Sequence, residues 1–338
     1  MTRKKISLLI LLSTALFLFG SLLIPKKYPV PVFEEREGTQ YWELSTGSHI
    51  GYIKIEAEGP NRKSPVIYLH GGPGGMITDA VIETLKPLAK QGHDLYFYDQ
   101  AGSGHSARLA DIGEYSVKRH QTDLKEIVSR ITEKKVILIG HSWGAVLAIN
   151  YLQDFDSTVE KIILSGPGHI LPVNQDLVGE ISPDSLSLRE PAYSNAEANK
   201  KAYNWRSKFI LLWAHLFHSK LASDKEADNF FTYLNQKLSK STDCEIREHQ
   251  AIGGGGYYSH VMTVNSFRNV ENKRERLKQL TTPVLILRGQ CDNQKWGFTK
   301  EYLDLFPHSQ LKVIEDAGHD IISRKGMAYF TLIRDFIE

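Results

Sequence analysis

Short apolar runs recur along this chain, and their spacing predicts its architecture. Gln40–Leu44 and Ile50–Glu56 alternate apolar and polar positions as half-exposed strands do. Beyond Pro65 the runs become mostly apolar and β-rich: Val66–Leu69, Leu95–Tyr98, Val136–Ile139, Ile162–Leu164, Val284–Leu287 and Leu311–Ile314. Runs of this kind suit strands buried on both faces of a parallel sheet. Helical stretches lie between them. They are Asp79–Lys90, Thr122–Thr132 with Leu124, Ile127, Val128 and Ile131 on one face, and Ala145–Gln153. This alternation implies an α/β fold with a mostly parallel central sheet, right-handed crossovers and flanking helices.

The alternation breaks between about residues 170 and 280. That stretch is mostly helical in pattern, as in Asn204–His218 and Glu226–Leu238. An insertion between the runs at Ile162 and Val284 would cover the carboxyl ends of the strands, where open α/β sheets bind ligands. It is read as a helical cap. Gly253–Gly256 inside it reads as a loop in preference to a hinge, and it is no phosphate cradle because no Gly-Lys-Ser/Thr follows. The expected divisions are an N-terminal membrane anchor or signal segment (1–27), a linker (28–39), a first core part (40–169), the cap (170–280) and a second core part (281–338).

The N-terminal segment rests on Thr2-Arg3-Lys4-Lys5 followed by the uncharged run Ile6–Ile24. As a helix that run would measure roughly 28 Å, close to the hydrocarbon thickness of a bilayer. No Ala-x-Ala cleavage motif follows, so an uncleaved anchor with an exported domain is expected ahead of a cleaved signal peptide and a secreted product.

Composition narrows the function. With 41% hydrophobic and 24% charged residues the chain can bury a full core, and a net charge of +2 gives no electrostatic case for a nucleic-acid partner. The two cysteines, Cys244 and Cys291, form neither a disulfide framework nor a zinc site by count. No metal or organic cofactor is called for, and no oligomeric state follows.

The chemistry points to Ser142. It stands in Gly140-His141-Ser142-Trp143-Gly144, directly after the run Val136–Ile139 and before a helix. A strand, a sharp turn and a helix present a serine hydroxyl as a nucleophile, with the positive end of the helix aimed at the reacting atom. Such a serine needs a base, and the base needs a carboxylate to hold its tautomer. Asp292 follows the run Val284–Leu287, and His319 follows the last strand run, so the chain order serine, acid, histidine is met. Asp316 and Asp320 are rival carboxylates, too close in sequence to His319 to reach its far ring nitrogen well. His70-Gly71-Gly72-Pro73-Gly74-Gly75 follows another buried strand. The backbone N–H of Gly72, or alternatively of Gly71, joins that of Trp143 as the expected oxyanion donors. The loop Asp99–Ser106 is read as structural, with Asp99 and His105 outside the chemistry.

Three motifs in this order, His-Gly-Gly-Pro-Gly-Gly at 70–75, Asp-Gln-x-Gly-x-Gly-x-Ser at 99–106 and Gly-x-Ser-Trp-Gly at 140–144, resemble the α/β-hydrolase superfamily. More closely they resemble its proline iminopeptidase group. The resemblance implies the α/β-hydrolase fold and a peptidase that removes the first residue, often proline, from a free amino end. It departs at Ala101, where the group usually carries arginine. It departs again in the cap, where a Trp-Glu pair that reads the substrate's ammonium is matched locally by Trp205-Arg206. Glu190, Glu197 and Glu226 are the substitute acids. The leading expectation is therefore a serine hydrolase working through an acyl-enzyme on a small peptide. The alternatives are a lipase-like esterase and, more remotely, a non-catalytic binding protein on a hydrolase fold.

Overall fold

The computed structural model describes residues 13, 20, 22–132, 134–247 and 250–338. One eight-stranded sheet runs through it: β1 (Gln40–Glu43), β2 (His49–Ile55), β3 (Val66–Leu69), β4 (Leu95–Tyr98), β5 (Val136–His141), β6 (Val159–Ser165), β7 (Val284–Gly289) and β8 (Ser309–Ile314). The spatial order is β1-β2-β4-β3-β5-β6-β7-β8. β2 is antiparallel to β1 and β4, and every other pairing is parallel. The helices outside the β6–β7 connection are α1 (Asp79–Leu85), α2 (Val117–Ile131), α3 (Trp143–Phe155), α9 (Trp296–Leu305) and α10 (Ile322–Ile337). Between β6 and β7 lie α4 (Asn195–Ala202), α5 (Trp205–Phe217), α6 (Asp224–Leu238), α7 (Tyr257–Ser266) and the short α8 (Arg274–Leu277).

The continuous apolar runs divide by parity between two cores, as side chains of a strand must. Ile67, Leu69, Tyr98, Leu138, Ile162 and Ile286 pack with α2 and α3 on one face. Val66, Tyr68, Phe97, Ile139, Ile163 and Leu285 pack with α1 and α10 on the other. The register then fixes where chemistry can gather. Leu69 pairs with Gly140, His141 with Ser165, Ser165 with Leu287, and Gly289 with Ile314. The carboxyl ends of these five strands therefore form one edge, and the loops leaving it carry His70, Ser142, Gly166, Asp292 and His319.

Three local details differ from the pattern-based expectation. Leu311–Ile314, read as buried on both faces, belongs to β8, which stands at the sheet edge and leaves Leu311 and Val313 half-buried and Lys312 exposed. The helix predicted at Asp79–Lys90 is α1 followed by a 3-10 turn over Lys86–Gln91, where Pro87 removes a helical N–H donor. α2 starts at Val117, capped by the Ser116 hydroxyl, because its first turns bury the polar His120 and Gln121.

Residues 28–39, expected to be a plain linker, run as a strap over the molecule. Tyr28 is buried between Phe230 and Tyr233, with ring centroids 5.4 and 5.7 Å away. Phe33 lies 4.7 Å from the His105 ring, and Arg36 donates to Asp79 (2.7 Å) and to the Ile77 carbonyl (2.9 Å).

The membrane-anchored, exported localisation is corrected. Among the described residues no helix is long and apolar enough to cross a membrane. Most of the run Ile6–Ile24 lies outside the described residues. Its end is tied to protein: the Leu22 carbonyl accepts from Arg206, and the Lys26 N–H donates to Glu226 (2.9 Å). Arg206 and Glu226 are themselves a buried pair at 2.9 Å.

Candidate active site

Ser142 caps the turn from β5 into α3 with φ +54° and ψ −115°, a backbone conformation that non-glycine residues rarely adopt. The flanking glycines permit it. A Cβ on Gly140 would meet Gly144 O at 2.5 Å, and one on Gly144 would drive into the Leu69 carbonyl. The Ser142 N–H donates to Ser165 O (2.9 Å), which ties the turn to β6. Trp143 opens α3, so its N–H has no carbonyl acceptor within the helix.

Asp292 and His319 meet beside this turn. His319 Nδ1 lies 2.8 Å from Asp292 Oδ1, and the aspartate side chain is wholly buried. That bond leaves His319 Nε2 as the free ring nitrogen. Burial alone would raise the Asp292 carboxyl. The His319 ring, the Arg288 guanidinium and the Gln294 N–H (2.9 Å) together hold it below the usual carboxylate value. Burial alone would likewise lower His319, but Asp292 and then Asp320 raise it above the usual imidazole value against Arg288. His141, with its ring centroid 5.0 Å from that of His319, is pushed down to about 4 by burial and by the neighbouring imidazole. It stays neutral at ordinary pH.

Ser142 and His319 line one cleft of about 500 Å³, together with His70, Gly71 and Gly72. The glycine loop is close: a Cβ on Gly71 would lie 3.1 Å from the Ser142 Cβ. All six residues singled out in the sequence, Ser142, Asp292, His319, Gly71, Gly72 and Trp143, thus fall at one edge of the sheet. The rival Asp316 pairs instead with Arg189 at 2.9 Å. Asp320 lines the cleft but is exposed.

Sequence reasoning missed Gln100. Its side-chain NH₂ donates to His70 O (2.9 Å), its Oε1 accepts from the Trp143 indole (2.7 Å), and its N–H donates to His70 Nε2 (2.8 Å). One buried side chain thereby laces the glycine loop to the residue after Ser142. The available signal was its position directly beyond a strand, in the loop after β4. Asp99 and His105 form a buried 2.9 Å pair that also binds the Ile77 N–H, in keeping with a structural role.

The cap side of the cleft is neutral. Asn195, Asn235, Ser239 and Thr242 line it, and Asn293 and Gln294 join them from the Asp292 loop. Of the cap acids considered, Glu226 is engaged with Arg206, and neither Glu190 nor Glu197 lines the cleft. Arg206 does not reach the cleft either, so the arginine that would repel an ammonium is spent on structure. The two cysteines, read as isolated, are joined: Cys244 and Cys291 form a disulfide with Cα atoms 5.1 Å apart. Among the described residues no group of three or more His, Cys, Asp or Glu side chains is gathered to hold a metal ion.

This fold and edge-clustered site match a known class. The family model for the alpha/beta hydrolase fold covers residues 64–325, and the chain belongs to that family. It is a hydrolase similar to proline iminopeptidases. It is 27% identical to the proline iminopeptidase of Heyndrickxia coagulans over 86% of this chain and 96% of that one. It is 24% identical to the proline iminopeptidase of Saccharolobus solfataricus over 86% of this chain and 90% of that one. Among solved structures an esterase from Exiguobacterium antarcticum superposes with a TM-score of 0.56 at 19% identity, over 88% of this chain and 98% of that one.

Proposed function

We propose that this chain is a serine hydrolase that works through an acyl-enzyme, and that it is an aminopeptidase of proline iminopeptidase type. The observation that carries the proposal is the buried 2.8 Å Asp292–His319 bond opening onto the cleft that Ser142 lines. In this reading His319 Nε2 takes the Ser142 proton as Oγ attacks the substrate carbonyl. Asp292 stabilises the imidazolium. The N–H groups of Trp143 and Gly72, with Gly71 as the alternative in the same loop, hold the tetrahedral oxyanion. His319 then protonates the leaving group, and water hydrolyses the acyl-enzyme. Oxyanion donors of this kind are typically worth about 2.7–4 kcal/mol each.

A second reading, a carboxylic ester hydrolase, is favoured by the neutral cap side of the cleft. An aminopeptidase must hold an ammonium group, and the acid that lines this cleft is the exposed Asp320, which lies outside the cap. Parallel assays on proline 4-nitroanilide and on short acyl 4-nitrophenyl esters separate the two. Amide turnover supports the aminopeptidase, and ester turnover without any amide turnover refutes it. Fluorophosphonate labelling that disappears in Ser142→Ala is expected under both. Labelling that persists in that variant would remove Ser142 from the chemistry.

A further inference from the structure

We infer that the Cys244–Cys291 disulfide positions the Asp292–His319 pair by clamping the cap segment that follows α6 onto the two loops that carry it. The inference rests on the triad reading above. Cys291 directly precedes Asp292. Cys244 stands two residues after Thr242, whose carbonyl accepts from the His319 N–H at 2.9 Å. The three segments 242–244, 289–292 and 317–319 touch through their backbones. The Cys291 N–H donates to Ala317 O at 2.9 Å. A Cβ on Gly318 would drive into Thr242 O, and one on Gly289 into Gly318 O. These two glycines are kept small by contact alone. The disulfide is the covalent side of this triangle, and the two hydrogen bonds are its other sides.

The clamp acts through placement and not through substrate contact, since neither cysteine lines the cleft. When it is cut, other ties remain. His319 still donates to Thr242 O, and Arg324 of α10 still donates to Asp243 (2.7 Å). The chain therefore stays folded while segment 242–244 and the Asp292 loop gain freedom relative to each other. A misplacement of about 1 Å in catalytic groups costs about 100-fold in rate, so partial loosening is expected to cost about 10-fold in kcat with KM changed less than about twofold.

The bond is open to chemical test. Cys291 is buried, while Cys244 is only partly so. A dithiol reductant such as dithiothreitol would attack Cys244 Sγ, the S–S bond would break, and a mixed disulfide would form. The second thiol of the reagent then displaces Cys244 and leaves as a cyclic disulfide. Both electrons end on two cysteine thiols.

The test uses the full chain, with free thiols counted before and after treatment and kcat and KM measured on the better of the two 4-nitrophenyl substrate types. Loss of labelling in Ser142→Ala first secures the triad reading in the oxidised protein. The expected result is then a fall of about 10-fold in kcat on full reduction, recovery on reoxidation with oxidised glutathione, and no thiol response in Cys244→Ser/Cys291→Ser. If the double variant fails to fold, Cys244→Ser alone, which keeps the buried Cys291, is expected to show the same kcat loss. Unchanged kcat in fully reduced protein, a change confined to KM, or two free thiols in the untreated chain would overturn the inference while leaving the triad standing. Persistent labelling of Ser142→Ala would overturn both.

Discussion

Replacing Gly166 with alanine would set one methyl group against the bond between Asp292 and His319. The added Cβ would lie 2.9 Å from His319 Nδ1, 3.0 Å from Asp292 Oδ2 and 3.2 Å from His319 Cε1. Ordinary carbon contacts lie near 3.5–4.0 Å, so the ring must retreat by roughly 0.5 Å. Gly166 also holds φ +50°, a left-handed conformation that costs an L-residue about 1–2 kcal/mol. For a chain of this length that cost lowers the melting temperature by only about 2 °C. The catalytic effect is expected to be larger. Half of the displacement that typically costs about 100-fold predicts a loss of about 10-fold in kcat. KM should hold, because Gly166 does not line the cleft. Gly168→Ala is the control. Its Cβ would meet only Val146 Cγ2, at 3.2 Å, and it should behave close to the parent protein. Steady-state turnover and a melting curve on both variants are sufficient. A Gly166→Ala enzyme with full kcat and the small melting shift would refute the assignment of His319 and Asp292 as base and acid.

Two further outcomes are expected. His319 must be neutral to accept the serine proton, and its value is held above the usual imidazole, so kcat/KM should be lost as pH falls through a midpoint above about 6.5. In Asp292→Asn the residual activity should show that midpoint shifted down, and a midpoint already below 6.5 in the parent would contradict the role of Asp292. Gln100→Ala strips the buried Trp143 indole N–H and the His70 carbonyl of their partner, which should cost about 2 kcal/mol of stability and several-fold in kcat. An unchanged melting temperature would show that this lacing does not hold the glycine loop.

The parallel strands were legible because a strand buried on both faces needs no polar alternation, and the runs at Val66, Leu95, Val136, Ile162 and Val284 display that plainly. The positions of Ser142 and Asp292 were legible because each follows such a run. His319 follows β8, an edge strand of mostly half-buried and exposed residues, and the register brings these strand ends level. What escaped the sequence was held by polar groups paired across long separations. α7 packs Tyr257, Tyr258, Val261 and Met262 into the core, but it also sets the polar Ser259 and Thr263 on buried positions and His260 on a half-buried one, which blurs its apolar stripe. Ser259 donates to Ala101 O (2.8 Å), His260 to Pro73 O (3.0 Å), and Thr263 pairs with His120 (3.0 Å). The four glycines before α7 read as a loop, yet they form a close seam with the core. Gly256 N–H donates to Gly74 O and Gly104 N–H to Gly254 O, both at 2.7 Å. Gln100, Thr242 and the Cys244–Cys291 link escaped for the same reason. Their partners are distant in sequence, and their residue types are common ones.

The strap over residues 28–39 has a practical consequence. A shortened version of this chain starting at Pro31 would still encode every strand and every member of the Ser142 site. It would nevertheless leave an aromatic-sized hole between Phe230 and Tyr233 and take from Glu226 the backbone donor it receives from Lys26. Trimming the front of this protein to ease its production would therefore disturb the helix whose Asn235 and Leu238 roof the Ser142 cleft.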